Sequence, residues 1–238
     1  MHGIIFGMQQ YFTNEELELN QLLKLDENTV HHITIVLRKK DGYIFRMVDK
    51  SNKCYLCKLE DFMARVISVV EEDHELDIDV TIVLSLIKND KFELALQKLT
   101  ELGVKRIVPY VANRSVIKIK DEKHKLERFR KIVKEASEQS HRDIIPEITS
   151  PATIRDLEKY LSKYNYVAYE KHNGSMLPFS EIDNSVTIII GPEGGFELSE
   201  VESFEKMGFE CCSLGKRILR AETAAMFVMA NITGVFDK

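Results

Sequence analysis

The sequence predicts an α/β protein: a mainly parallel sheet with helices on both faces, preceded by a small β-barrel. Three observations carry this. From residue 80 onward, runs rich in Ile and Val alternate with segments whose apolar residues recur at helical spacing. Before residue 79 the chain reads as short extended pieces separated by tight turns. Across 238 residues, 44% hydrophobic and 30% charged, there is enough apolar material for one large core or two smaller ones, and disordered or collagen-like classes are excluded.

In order, the N-terminal strands are expected at 33–37, 43–48, 53–59 and 63–70. Asp41-Gly42 and Asp49-Lys50-Ser51-Asn52 supply turns between them. The acidic stretch 71–75 precedes a long apolar run at 80–87. This places a boundary between a barrel domain at 1–78 and an α/β domain at 79–238. After strand 80–87, the spacing of Phe92, Ala95, Leu96, Leu99 and Leu102 predicts a helix at 90–102. Asn89 or Asp90 suits its start and Gly103 its end. A strand at 104–111, helices at 121–139 and 154–163, and strands at 166–170 and 186–190 follow. A helix at 199–207, a strand at 209–214 and a helix at 222–235 complete the chain.

No apolar run approaches the roughly 20 residues of a membrane-spanning helix. The stretch before Met8 lacks the basic flank of a secretory signal, and Met8 is itself a possible start, so the expected compartment is the cytoplasm. Cys54 and Cys57 have the spacing of half a zinc site or of a redox pair, but the remaining cysteines are the adjacent Cys211 and Cys212, with no histidine cluster. Plain thiols and no metal are expected. Charge becomes informative when divided. Residues 1–79 carry 9 Lys/Arg against 15 Asp/Glu, whereas 114–142 alone carries 10 against 5. Such a stretch suits a polyanion, although alternating signs also suit a solvated helix face.

Two segments stand where ligands bind in α/β sheets, beyond the carboxyl ends of strands. One is Gly191-Pro192-Glu193-Gly194-Gly195. The other is Leu214-Gly215-Lys216-Arg217-Ile218-Leu219-Arg220-Ala221-Glu222-Thr223. Glycines let backbone groups approach a nucleoside-like ligand closely. Neither segment is a Walker loop or a Gly-x-Gly-x-x-Gly turn.

These two segments resemble those of the SPOUT methyltransferases, and most closely of the RsmE family, which methylates N3 of a uridine in 16S ribosomal RNA. The resemblance extends over nearly the whole chain. It includes Met8–Phe12, His31–Arg38 with Gly42, Lys91–Val104, Asn113-Arg114-Ser115, and Glu135–Arg142 followed by Pro146-Glu147-Ile148. Gln10 stands where relatives often carry a basic residue. The resemblance implies a PUA-like RNA-binding barrel and a SPOUT domain with a trefoil knot. It also implies S-adenosyl-L-methionine as methyl donor, the small ribosomal subunit as partner, and a homodimer. Taken without the rest of the chain, the cofactor loops would equally suit a relative acting elsewhere on RNA, on a ribose 2′-hydroxyl, or as a non-catalytic assembly factor.

The chemistry then suggests roles. Uridine N3 must lose its proton before it attacks. A carboxylate can take that proton and a cation can stabilise the anionic ring, which points to Glu222 and Arg220 as catalytic. Leu214, Ile218 and Leu219 would wall the adenine, with Gly191, Gly194, Gly195 and Gly215 giving close backbone approach. Arg114, Arg142, Lys88 and Lys91 are the expected RNA contacts. The last helix carries apolar residues around most of its circumference, which suits a second subunit beside the cofactor loops.

Overall fold

The structure is a computed structural model that describes residues 8–115, 122–169 and 175–237. The first seven residues, Lys118 and Lys120 of the basic stretch, and Glu170 of the expected strand 166–170 lie outside the described residues. The chain forms two compact units. One runs to His74 and takes in Glu138–Ile144; the other comprises Glu75–Ser137 and Ile145–Lys238. The sequence pattern by itself places the boundary at 78/79 and shows no return segment.

The first unit contains β1 (Gln10–Phe12), β2 (Leu22–Lys24), α1 (Glu27–His31), β3 (Ile44–Val48), β4 (Cys54–Glu60) and β5 (Met63–Val69). Its sheet has the order β1-β3-β4-β5-β2, with β1 parallel to β3 and the other pairs antiparallel. The end strands do not pair with each other, so this is a curled half-barrel rather than a closed barrel. Alternate residues Phe45, Met47, Cys57, Leu59, Ala64 and Val66 face its core together with Tyr11 and Ile33. Burial pushes the thiols up, Cys54 to about 11 and Cys57 to about 12, so both remain protonated.

One expected strand is a helix. Residues 33–36 fall within the π-helical turn His32–Val36 that continues α1, and Leu37 caps it. The β-branched run Ile33-Thr34-Ile35-Val36 favours a strand locally. Asp26 overrides it by accepting from the backbone N–H groups of Asn28 (3.0 Å) and Thr29 (3.1 Å), which starts the helix. Ile33 is fully buried while Ile35 and Val36 are 62% and 57% exposed, a helical rather than a two-residue pattern.

The return segment Glu138–Ile144 is tied into the first unit by buried polar groups. Gln10 is fully buried: its Nε2 donates to the Arg142 carbonyl (2.6 Å) and its Oε1 accepts from Arg46 Nε (3.0 Å). Arg46, also fully buried, donates to Glu72 (2.7 Å). His141 Nε2 lies 2.8 Å from the Met8 carbonyl, and its ring packs edge-on to that of His74.

The second unit holds β6 (Asp79–Ser85), α2 (Asn89–Glu101), β7 (Arg106–Tyr110), α3 (Glu122–Gln139), β8 (Glu147–Ile148), β9 (Tyr164–Ala168), β10 (Ser185–Ile190), α4 (Leu198–Lys206), β11 (Glu210–Cys212) and α5 (Ala221–Phe236). The last two residues of α3 belong to the return segment. The expected helix at 154–163 is a 3-10 helix, Ile154–Tyr160, started by Thr153 and Asp156. The strands are parallel throughout, in the order β11-β9-β10-β6-β7-β8. Successive residues of β10 feed two cores. Val186, Ile188 and Ile190 pack with Phe92 and Leu96 of α2 and Ala225, Val228 and Ile232 of α5. Ile189 packs with Val201 and Phe204 of α4 and with Phe196. After β10 the chain turns toward β11, and after β6 toward β7. Neighbouring strands therefore diverge between β10 and β6, the kind of switch point where α/β sheets bind ligands.

Burial holds the His141 imidazole below its ordinary value of 6.5, with the charges of Arg46 and His74 adding to this against the Met8 carbonyl. The folded chain therefore releases that proton more readily than the unfolded chain. The associated stability is complete above pH 6.5 and is lost as the pH falls from there toward the depressed folded value. Glu72, held below its usual value chiefly by the Arg46 hydrogen bond, titrates only at more acid pH. The melting temperature is expected to fall between about pH 7.5 and about pH 5.5, and His141→Gln to flatten that fall when followed by scanning calorimetry.

Candidate functional site

The loops at the carboxyl edge of the second sheet enclose a cavity of about 600 Å³, within the range of small-molecule sites. Ala168 and Tyr169 reach it from the end of β9, Ile190 and Gly191–Gly195 from β10, and Ser213–Leu219 from β11. Arg220, Ala221 and Ala224 come from the start of α5, and Lys91 from the first turn of α2.

The glycines of the first loop have separable reasons. A Cβ on Gly191 would stand 3.0 Å from the ring of Phe196, which is itself buried in the core, so the close approach at this position is internal. Gly195 closes a turn by donating to the Pro192 carbonyl (2.9 Å) and has φ +65°, a conformation L side chains rarely adopt. In the second loop, Gly215 N–H donates to Ser213 Oγ (3.1 Å). Ser213 bridges to Met176, and from Leu214 to α5 the segment has no regular structure.

Of the cofactor residues expected from sequence, Gly191, Gly194, Gly195, Leu214, Gly215, Ile218 and Leu219 all line this cavity. Leu214 and Leu219 also lean on the core, whereas Ile218 is 86% exposed and stands at the rim. Arg220 lines the cavity from an exposed position at the N-cap of α5. Glu222 is buried in the first turn of α5, with Oε1 3.6 Å from Lys91 Nζ. Lys91 thus faces the cavity interior, between Glu222 and Glu193, rather than the outer surface expected of an RNA backbone contact.

The other basic candidates separate. Arg114 donates from Nη1 to the Gly194 carbonyl (3.2 Å), and its Nε lies 3.8 Å from Glu197, so it sits on the Gly191–Glu197 loop. Lys88 is exposed at the N-cap of α2 and does not line the cavity. Arg142 is only 3% exposed and belongs to the first unit; burial withdraws its side chain from the surface role expected of it. On α3, Arg128 is committed to a two-pronged pair with Glu93 (2.5 and 2.7 Å), so part of the basic stretch is a paired helix face.

Glu200 escaped the sequence reading. It is 2% exposed, and its carboxylate accepts from Tyr110 Oη (2.9 Å) and from the backbone N–H groups of Asn113 (3.0 Å) and Glu197 (3.0 Å). This holds the 112–115 segment, and with it Arg114, against the Gly191–Glu197 loop. Burial together with the Glu200 carboxylate pushes the Tyr110 phenol well up, so it stays a donor. The available signal was a glutamate on the apolar face of α4, one residue before Val201. Tyr169, Ser213 and Arg217 are further lining residues without a distinctive spacing.

Fold and site together define an RNA methyltransferase domain, the description of the family model that matches residues 74–233. The ribosomal RNA small subunit methyltransferase E of Bacillus subtilis is 35% identical, covering 95% of this chain and 96% of its own. That of Mesomycoplasma hyopneumoniae is 32% identical over 94% and 98%. The solved structure of the Neisseria gonorrhoeae enzyme of the same name, bound to S-adenosyl methionine, matches with a TM-score of 0.87 at 26% identity, over 96% of this chain and 98% of that one. The chain belongs to the ribosomal RNA small subunit methyltransferase E family.

Proposed function

We propose that this protein transfers a methyl group from S-adenosyl-L-methionine to N3 of a uridine in 16S ribosomal RNA, with the small ribosomal subunit as its partner. The observation that carries the reading is the cavity at the carboxyl ends of β9, β10 and β11, where apolar walls and open backbone end against Lys91 and Arg220, with Glu222 3.6 Å from Lys91. Its size and lining fit the cofactor. Leu214 and Leu219 with the Ala168 and Ala224 side chains suit an adenine, and the irregular backbone of 214–220 suits its polar edge. The cofactor supplies a methyl group on a positively charged sulfur. The trefoil knot implied by the resemblance belongs to the same reading.

The remaining work falls to the protein. Holding the acceptor nitrogen in line is worth much of the barrier in a displacement of this kind. Glu222 is the carboxylate positioned to take the N3 proton, and Arg220 the exposed cation at the cavity mouth for the ring or a neighbouring phosphate. Arg114 and Lys88 offer the outer contacts to RNA, with the first unit as a further RNA-binding part.

Small subunits lacking the mark, incubated with the protein and S-adenosylmethionine, are expected to yield N3-methyluridine on nucleoside mass spectrometry. A methyl on ribose or on another base would move the reading to a different RNA position. No transfer and no cofactor binding would indicate an assembly factor.

Gly195→Val puts a β-branched side chain at φ +65° on the cavity wall. With about 1–3 kcal/mol of backbone strain added to lost space, cofactor affinity by calorimetry should weaken more than about tenfold. Retained affinity in a folded variant would remove the loop from the cofactor site.

A homodimer is part of the proposal. Thr223, Ala230 and Gly234 leave a small-residue face of α5 exposed, and Ile218 stands 86% exposed beside the cavity. Light scattering at micromolar concentration should give twice the 27.5 kDa chain mass and less for Ile218→Asp; a single-chain mass refutes the dimer.

A further inference from the structure

Lys91 and Glu222 form an unusual pair. The ammonium lies 3.6 Å from Glu222 Oε1 and 3.9 Å from Glu193 Oε1, within ion-pair range but beyond the roughly 3.2 Å of an N–H···O hydrogen bond. Neither carboxylate therefore uses up one of its three donors. Glu222 is 8% exposed, and its Oε2 is buried with no hydrogen-bond partner among the described residues. A buried acceptor left unpaired carries a desolvation cost, larger when charged, that a donor reaching it would relieve. Lys91, on the cavity wall, is thus a cationic donor with the Glu222 carboxylate 3.6 Å from it.

The imide edge of uracil is the complement of that arrangement, an N–H donor at N3 flanked by carbonyl acceptors. Resting on the uridine N3 reading above, we propose that Lys91 and Glu222 together grip this edge, Glu222 receiving the N3–H and Lys91 the neighbouring carbonyl oxygen. Lys91 is then a catalytic residue of this site rather than a phosphate contact. The N3–H bond breaks and the proton passes to the Glu222 carboxylate. The electron pair left on the ring spreads onto the carbonyl oxygen, where the ammonium stabilises it. N3 forms its bond to the methyl carbon as the bond from that carbon to sulfur breaks, the pair staying on sulfur. The same grip selects uridine, because cytidine has no N3–H for the carboxylate.

The test compares wild type, Lys91→Met and Lys91→Arg at saturating cofactor on two substrates. One is the small subunit; the other is a subunit reconstituted with 16S RNA in which 5-fluorouridine, with its more acidic N3–H, replaces uridine. Losing an electrostatic stabiliser of this kind should slow Lys91→Met about 100-fold on the ordinary subunit, with partial recovery in Lys91→Arg. If Lys91 stabilises the developing anion, the deficit should shrink to about tenfold or less on the fluorinated subunit, because less charge stabilisation is then required. Calorimetric affinity for S-adenosylmethionine should stay within about twofold, which also reports an intact fold. An equal deficit on both substrates, or a collapse of cofactor affinity with the rate at saturation preserved, overturns the role of Lys91 alone. Failure of the wild type to form N3-methyluridine overturns the underlying reading along with it.

Discussion

The second sheet is parallel throughout and buried on both faces, and the site depends on that constraint. Parallel strands all end at one edge, so residues far apart in the chain must emerge together there. Gly191 follows β10, Ser213 follows β11, Tyr169 follows β9, and Lys91 opens the helix after β6. The loops after β9, β10 and β11 leave a cavity among them, which the starts of α2 and α5 close. Filling both faces of β10 with Val and Ile fixes that register, and the cavity inherits its precision from the packing.

Two buried glutamates show how differently the same group can serve. Glu200 is satisfied three times over, by Tyr110 and two backbone N–H groups, and joins two loops into one piece. Glu222 keeps a buried oxygen without a partner among the described residues, and a cation just outside hydrogen-bond distance. A satisfied buried carboxylate holds structure; an incomplete one carries a standing cost that a ligand can relieve. The contrast between them separates the scaffold of the site from its chemistry.

The first unit is organised around a comparable polar core. Gln10 and Arg46, both fully buried, reach the return segment 138–144 and Glu72. Gln10 is therefore a structural bolt. The chain enters this unit twice, and a hydrogen bond spanning 132 positions between Gln10 and Arg142 holds the second visit in place.

Much of the fold was legible in the chain itself, because burial leaves a periodic mark. Alternation of Ile- and Val-rich runs with helical spacing located β6, β7, β10, α2, α4 and α5 to within a few residues, and the glycine-bearing turns located both cavity loops. Where a local preference and a cap disagreed, as at 33–37, the cap at Asp26 prevailed. Very short strands such as β1, β2 and β8 left too few residues to show a period. What only tertiary structure decided were the pairings across the fold: Lys91 against Glu222, Arg114 on Gly194, Glu200 beneath both loops, and Arg142 turned inward. Periodicity reports which side of its own element a residue occupies. It carries no information about which distant element arrives on that side, and the chemistry of this site is made of such arrivals.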